Sequence, residues 1–250
     1  MAGGCNWRLF GPGDPDSDAP PLEDDGAGTM PVDLEDGLLG HWKFNGLPTD
    51  YGDGRYPTIP KGSDVQYVPD RFGRTDSAVR LNGAGQYIEV KPRVKHQQDP
   101  KKPISDTFLF GGHHEGLSLS VWFNALSDPQ DSGLIWNSPQ SAGGYELRCA
   151  AAGLTFFRHD SAVATVPGAN LQAGWNHVVV SWDFDSEVLE MWINGALNAE
   201  GELPRFNRAK EEELRIGGSS TGTFHGDIDQ VRVYGRALND SEVKALFDEE

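Results

Sequence analysis

From Leu38 onward, apolar and polar residues alternate along short stretches separated by Gly, Pro, Asn and Asp. The clearest case is 117–124. Leu117, Leu119, Val121 and Phe123 fall on one face of a strand, and Ser118, Ser120, Trp122 and Asn124 on the other. The same period predicts strands over 38–44, 134–136, 145–149, 154–159, 177–183, 188–194 and 214–217. Residues 77–81 and 86–91 read as a hairpin across Asn82-Gly83-Ala84-Gly85, with Val79, Leu81, Ile88 and Val90 inward. Short strands, regular turn signals and no βαβ rhythm predict an antiparallel sandwich of about twelve strands. The period changes once, at the C-terminus. A strand reaches Tyr234, Gly235 allows a turn, and Asn239 with Glu242 forms a capping box. Val243, Leu246 and Phe247 then follow at helical spacing. Strict alternation puts Asp229 with Val231 and Val233, opposite Ile228, Gln230, Arg232 and Tyr234. A carboxylate among valines needs a partner.

Composition divides the chain. Residues 1–36 are rich in Gly, Pro and Asp, and read as an acidic arm or linker before a body at 37–250. The arm holds nine acidic residues against Arg8, so about −8 of the formal −17. An acidic chain excludes non-specific binding to nucleic acid and to anionic membranes. No run approaches the length of a membrane span, so no membrane insertion is expected, and no apolar signal-peptide core is visible. Cys5 and Cys149 form no evident structural pair. Trp7, Leu9 and Phe10 give the arm a short apolar anchor, through which a homo-oligomer or a larger assembly would form. These features suit an extracellular, cell-surface or virion setting better than a cytoplasmic enzyme.

Several stretches resemble the laminin-G-like domains of the concanavalin-A-like lectin/glucanase superfamily. Gly226-Asp227-Ile228-Asp229 through Val243 resembles the closing strand and helix. Residues 40–45, Asp70 to Val90, Leu117 to Phe123, Trp175 to Val180 and Trp192 to Gly195 resemble earlier elements in order. The resemblance implies an all-β, antiparallel jelly-roll β-sandwich with a short C-terminal helix. It also implies a structural Ca2+ tying the first strand to the last, with Asp229 as the natural ligand and Asn45 and Asp227 as further oxygens. Asn45 stands where relatives commonly carry Asp. The alternative for Asp229 is backbone N–H groups or a pair with Arg236.

Sugar binding has its candidates on the polar strand faces. Trp122 offers a stacking surface and Asn124 reads hydroxyls; Trp192, His177 and Arg148 lie on neighbouring strands. The 92–115 insertion carries a basic patch and is a second place for binding. Catalysis has less behind it, because no strand carries the spaced carboxylates of retaining glycosidases. Asp183, Asp185 and Glu187 fall at a turn, and His113-His114-Glu115 lacks zinc-site spacing. The expected function is a non-catalytic recognition module for a glycan or a protein partner. The alternatives are a structural or assembly protein attached through residues 1–36, and a glycoside hydrolase or polysaccharide lyase.

Overall fold

In a computed structural model the described residues are 32–52, 55–91, 114–126, 131–137, 144–158, 160–205 and 213–249. The strands in order are β1 (Leu38–Trp42), β2 (Thr58–Lys61), β3 (Gln66–Val68), β4 (Ala78–Asn82), β5 (Tyr87–Val90), β6 (Gly116–Ala125), β7 (Ser132–Asn137) and β8 (Tyr145–Ala150). They continue as β9 (Gly153–Arg158), β10 (Ser161–Pro167), β11 (Trp175–Asp183), β12 (Val188–Ile193), β13 (Ala196–Glu202), β14 (Leu214–Ile216) and β15 (His225–Tyr234), followed by helix α1 (Asp240–Asp248). One sheet runs β13-β12-β11-β6-β15-β4-β3, with β1 also paired to β15; the other runs β10-β9-β8-β7-β14-β5-β2. All pairings between these strands are antiparallel. The two inner faces enclose one core that includes Trp42, Phe123, Leu134, Phe156, Val178 and Val233.

Fifteen strands among the described residues exceed the expected twelve or so. The additional ones, β2, β3, β10 and β13, stand at the ends of the two strand orders. An edge strand is half solvated and needs no sharp alternation, and β2 even carries Pro60.

The 77–91 hairpin is a correction. β4 pairs with β3 and β15 in the first sheet, whereas β5 pairs with β2 and β14 in the second. The chain crosses between sheets at Gly83 and Gly85, which take φ of +68° and +92°. Val79, Leu81, Ile88 and Val90 are all fully buried, as expected of inward residues. They meet across the core instead of side by side.

A second correction lies in β15. Asp229 opposes Trp122 and Arg232 opposes Ser120, so Gln230 and Val231 together face one residue of β6. This bulge, with Gln230 at φ +46°, inverts the alternation. Ile228, Val231 and Val233 enter the core, while Tyr234 belongs to a separate cluster under α1. Asp229 therefore leaves the valine face, and the apparent carboxylate among valines disappears.

That second cluster joins Leu38, Val179, Trp192, Tyr234, Leu238, Val243 and Leu246. α1 thus lies on the outer face of the first sheet. Its capping box is formed on both sides, with Asn239 Oδ1 accepting from Glu242 N and Glu242 Oε2 accepting from Asn239 N. Residues 32–36, read as the end of the arm, belong to this body. Leu34 packs against the cluster, its carbonyl accepts from the Tyr234 hydroxyl, and Asp36 pairs with Arg236. The rest of the expected arm, 1–31, lies outside the described residues, as does 92–113 of the insertion.

Candidate functional site

Each sheet has an outer face, and the two differ. On the first sheet the expected polar face of β6 does point outward, but α1 covers it. Trp122 is 6% exposed. Its ring stacks on His177 at 4.8 Å and on Phe247 at 5.6 Å, and the Arg71 guanidinium lies 4.3 Å over it. His177 is hydrogen-bonded through Nε2 to Ser120 Oγ at 2.8 Å, and burial, with Arg232 and Arg71 nearby, pushes its pKa down to about 3. Trp192 is buried under α1 and donates to Glu190 at 3.3 Å. Three of the five expected sugar-reading residues are thus brought together, but as the seat of the helix. Asn124, half-buried, donates to Asp227 at 3.3 Å.

The expected calcium ligands do not assemble. Asp229 is fully buried and pairs with Arg71 at 3.1 Å, and it accepts from Gln230 N at 2.7 Å. Asp227 takes a two-pronged contact from Arg80, at 2.6 and 2.9 Å. Asn45 is exposed in the turn after β1. Asp229 and Asp227 are thus each paired with a guanidinium, and no group of three His, Cys, Asp or Glu side chains that could hold a metal occurs among the described residues. The partner of Asp229 is Arg71 and not Arg236, which instead pairs with Glu242. Arg71 is aimed by its own loop. The buried Asp70 carboxylate accepts from the N–H groups of Phe72 and Arg74 and from Arg74 Nε, folding 70–74 into a tight turn.

Burial pushes the Asp229 carboxyl up to about 7 from 3.8, against the opposing pull of Arg71. The native state therefore holds this proton more tightly than the unfolded chain does. The contribution of Asp229 to stability falls as pH rises from about 4 to about 7 and is level outside that window. In Asp229→Asn this fall is absent. The stability of the variant relative to the parent, from urea unfolding, is expected to rise between pH 4.5 and pH 7.5. A constant difference would contradict the raised carboxyl.

Among the described residues, no α-helix lies on the outer face of the second sheet. Register places Ile59, Glu89, Arg215, Trp136, Glu146 and Phe157 in one unbroken row across β2, β5, β14, β7, β8 and β9. None of them joins the core. Arg148, expected as a sugar-binding residue, sits beside this row. It donates to Glu146 Oε2 at 2.8 Å and to Asp131 at 3.2 Å, and lies 4.2 Å over the Phe157 ring. Arg215 lies 4.3 Å over Trp136 and 5.0 Å from Tyr87, and is ion-paired with Glu213. Lys61 and Lys91 both pair with Glu89, at 3.0 and 2.6 Å.

Three buried polar atoms at the centre of this row have no hydrogen-bond partner among the described residues: Trp136 Nε1, Glu146 Oε1 and Arg148 Nε. Glu146 is fully buried and Trp136 is 8% exposed. Each such group carries a cost of about 1–3 kcal/mol, so a cluster of three calls for an explanation. Trp136, Glu146 and Arg215 were not among the expected site residues. The alternation Tyr145-Glu146-Leu147-Arg148-Cys149 already sets Glu146 and Arg148 on one face, and that signal was sufficient for Glu146. The neighbours Trp136 and Arg215 come from strand order, which no local pattern reveals.

Residues 83–244 match a laminin-G family model described as the concanavalin A-like lectin/glucanases superfamily. No curated protein sequence matches the chain. Among solved structures, domain 4 of AbnA, an extracellular GH43 arabinanase from Geobacillus stearothermophilus solved with arabinotriose, matches with a TM-score of 0.60 and 17% identity, covering 84% of this chain and 98% of that one. The receptor-binding domain of botulinum neurotoxin C/D mosaic serotype matches with a TM-score of 0.65 and 13% identity over 87% of this chain and 52% of its own. The binding domain of botulinum neurotoxin DC, solved with rat synaptotagmin II, gives 0.61 and 14% over 86% and 52%. This chain thus spans about half of each toxin domain. At these identities the likeness is one of fold. Among the described residues no helix is long and apolar enough to cross a membrane.

Proposed function

This chain belongs to the concanavalin A-like lectin/glucanases superfamily, and from that premise we propose that it is a non-catalytic recognition module that binds a glycan on the outer face of its second sheet. The observation that carries this reading is the trio of unpartnered buried groups on Trp136, Glu146 and Arg148. They are set among Arg, Glu and aromatic side chains, the residue types that read sugar hydroxyls. A similar fold is found in an arabinanase domain solved with arabinotriose. The carboxylates on this face are engaged by cations: Glu146 by Arg148, Glu89 by two lysines, Glu213 by Arg215. Such pairing favours a binding role over an acid–base role.

A glycan array, followed by calorimetric titration of the hits, tests the proposal. Arg148→Ala and Trp136→Ala are each expected to weaken binding at least about tenfold, or about 1.4 kcal/mol. Melting curves run in parallel separate lost binding from lost folding. Absence of any glycan hit, or variants that fold and bind like the parent, would overturn it.

A further inference from the structure

We infer that the ligand is a neutral, extended oligosaccharide lying across the strands of the second sheet. The inference rests on the glycan reading above and specifies its chemistry. The three unpartnered groups are of both kinds: Trp136 Nε1–H and Arg148 Nε–H are donors, and Glu146 Oε1 is an acceptor. Trp136 and Glu146 are direct cross-strand partners, and Arg148 is two residues along β8 from Glu146. A sugar hydroxyl both donates and accepts, so a set of hydroxyls satisfies all three. A carboxylate or sulfate satisfies only the two donors and meets the Glu146 carboxylate head-on. An ammonium group satisfies only Glu146.

The surrounding charges point the same way. Four cations, Arg148, Arg215, Lys61 and Lys91, are ion-paired with four carboxylates, Glu146, Asp131, Glu213 and Glu89, so the set carries no net charge. None of these four cations is left over for an anionic sugar, in a chain of formal charge −17. Guanidinium planes already lie over Trp136 and Phe157, at 4.3 and 4.2 Å. Recognition therefore falls to N–H and carboxylate groups along the row more than to open ring faces.

The direction follows from register. Glu89, Arg215, Trp136, Glu146 and Phe157 are consecutive Cα partners on β5, β14, β7, β8 and β9. Four inter-strand steps of about 4.8 Å make the row about 19 Å long. A single sugar covers only part of that length.

The test is calorimetric titration of the intact chain with neutral pentose and hexose oligosaccharides of increasing length, and with uronate-containing and sulfated counterparts. Neutral ligands are expected to bind, with affinity rising at least about tenfold from disaccharide to pentasaccharide. That affinity is expected to stay constant as salt rises, since no net charge is paired. Phe157→Ala and Glu89→Gln, at the two ends of the row, are expected to flatten the length dependence. Preference for the anionic series overturns neutrality and leaves glycan recognition standing. Affinity independent of length, or a length dependence untouched by both end variants, overturns the cross-strand placement. No binding by either series overturns this inference together with the reading it rests on.

Discussion

Arg71→Ala is expected to lower the stability of the domain by about 3–5 kcal/mol at pH 8, the usual cost of breaking a buried ion pair by removing one member. The Arg71 side chain is 7% exposed and that of Asp229 is 1%. Besides Asp229, the guanidinium donates to the Glu249 carbonyl at 2.7 Å, and it lies 4.3 Å from both Phe72 and Trp122 rings. It therefore ties the 70–74 turn, the β15 bulge and the end of α1 into one contact. Without it, Asp229 stays buried with no cation, and its carboxyl, already at about 7, is pushed higher. Protonation then offers a partial escape, so the loss is expected to be smaller at pH 5 than at pH 8. Urea unfolding at both pH values reads this directly. Adding Asp229→Asn to Arg71→Ala is expected to recover part of the loss at pH 8, since the uncompensated charge goes with it. A loss below about 1 kcal/mol, or no recovery in the double variant, would mean that the pair is not what holds the bulge and the helix together.

The same region shows what a local pattern can and cannot carry. The strands of the interior were legible because both of their faces are constrained: Leu117, Leu119, Val121 and Phe123 alternate cleanly and lie where alternation puts them. Edge strands face water, so 161–167 and 196–202 carry no comparable signal. The bulge was hidden for another reason. One extra residue with positive φ reverses every later face assignment, and Gln230 gives no sign of it, being neither Gly nor Asn. The crossing at 82–87 looked like a hairpin because the turn chemistry is the same whether the chain returns beside itself or steps to the opposite sheet. For the site, chemistry was easier to see than access. Trp122, His177 and Trp192 have the composition of a sugar platform, but α1 lies over them. Its capping box and apolar spacing announced a helix without saying what it would cover. Arg148 fell on the second sheet, and only strand order joins it to Trp136 and Arg215.

Asp50→Ala is the second substitution expected to have a large effect, about 3–6 kcal/mol. Asp50 is 4% exposed. Its Oδ1 accepts from the N–H groups of His41 and Gly52, each at 2.8 Å, and its Oδ2 from Tyr56 N at 2.7 Å. One carboxylate thus holds the loop that follows β1 against β1 itself. The approach is close enough that a Cβ on Gly52 would meet the Gly40 backbone at 2.7 Å. Alanine leaves three donors without an acceptor in a region too tight to admit a side chain, at about 1–3 kcal/mol each, offset in part by local relaxation. Trp42, Phe44 and Tyr56, which the loop and β1 bring into the core, loosen with it. Asp50→Asn keeps one oxygen, enough for His41 and Gly52, and turns an amide N–H2 toward Tyr56 N, so its loss is expected to fall between parent and alanine. A melting-temperature drop on the order of 10 °C is expected for alanine in a domain of this size. Hydrogen exchange at the His41, Gly52 and Tyr56 amides should accelerate with it. A drop below about 3 °C, or unchanged protection at those three amides, would show that the loop is held to β1 by packing and not by the carboxylate.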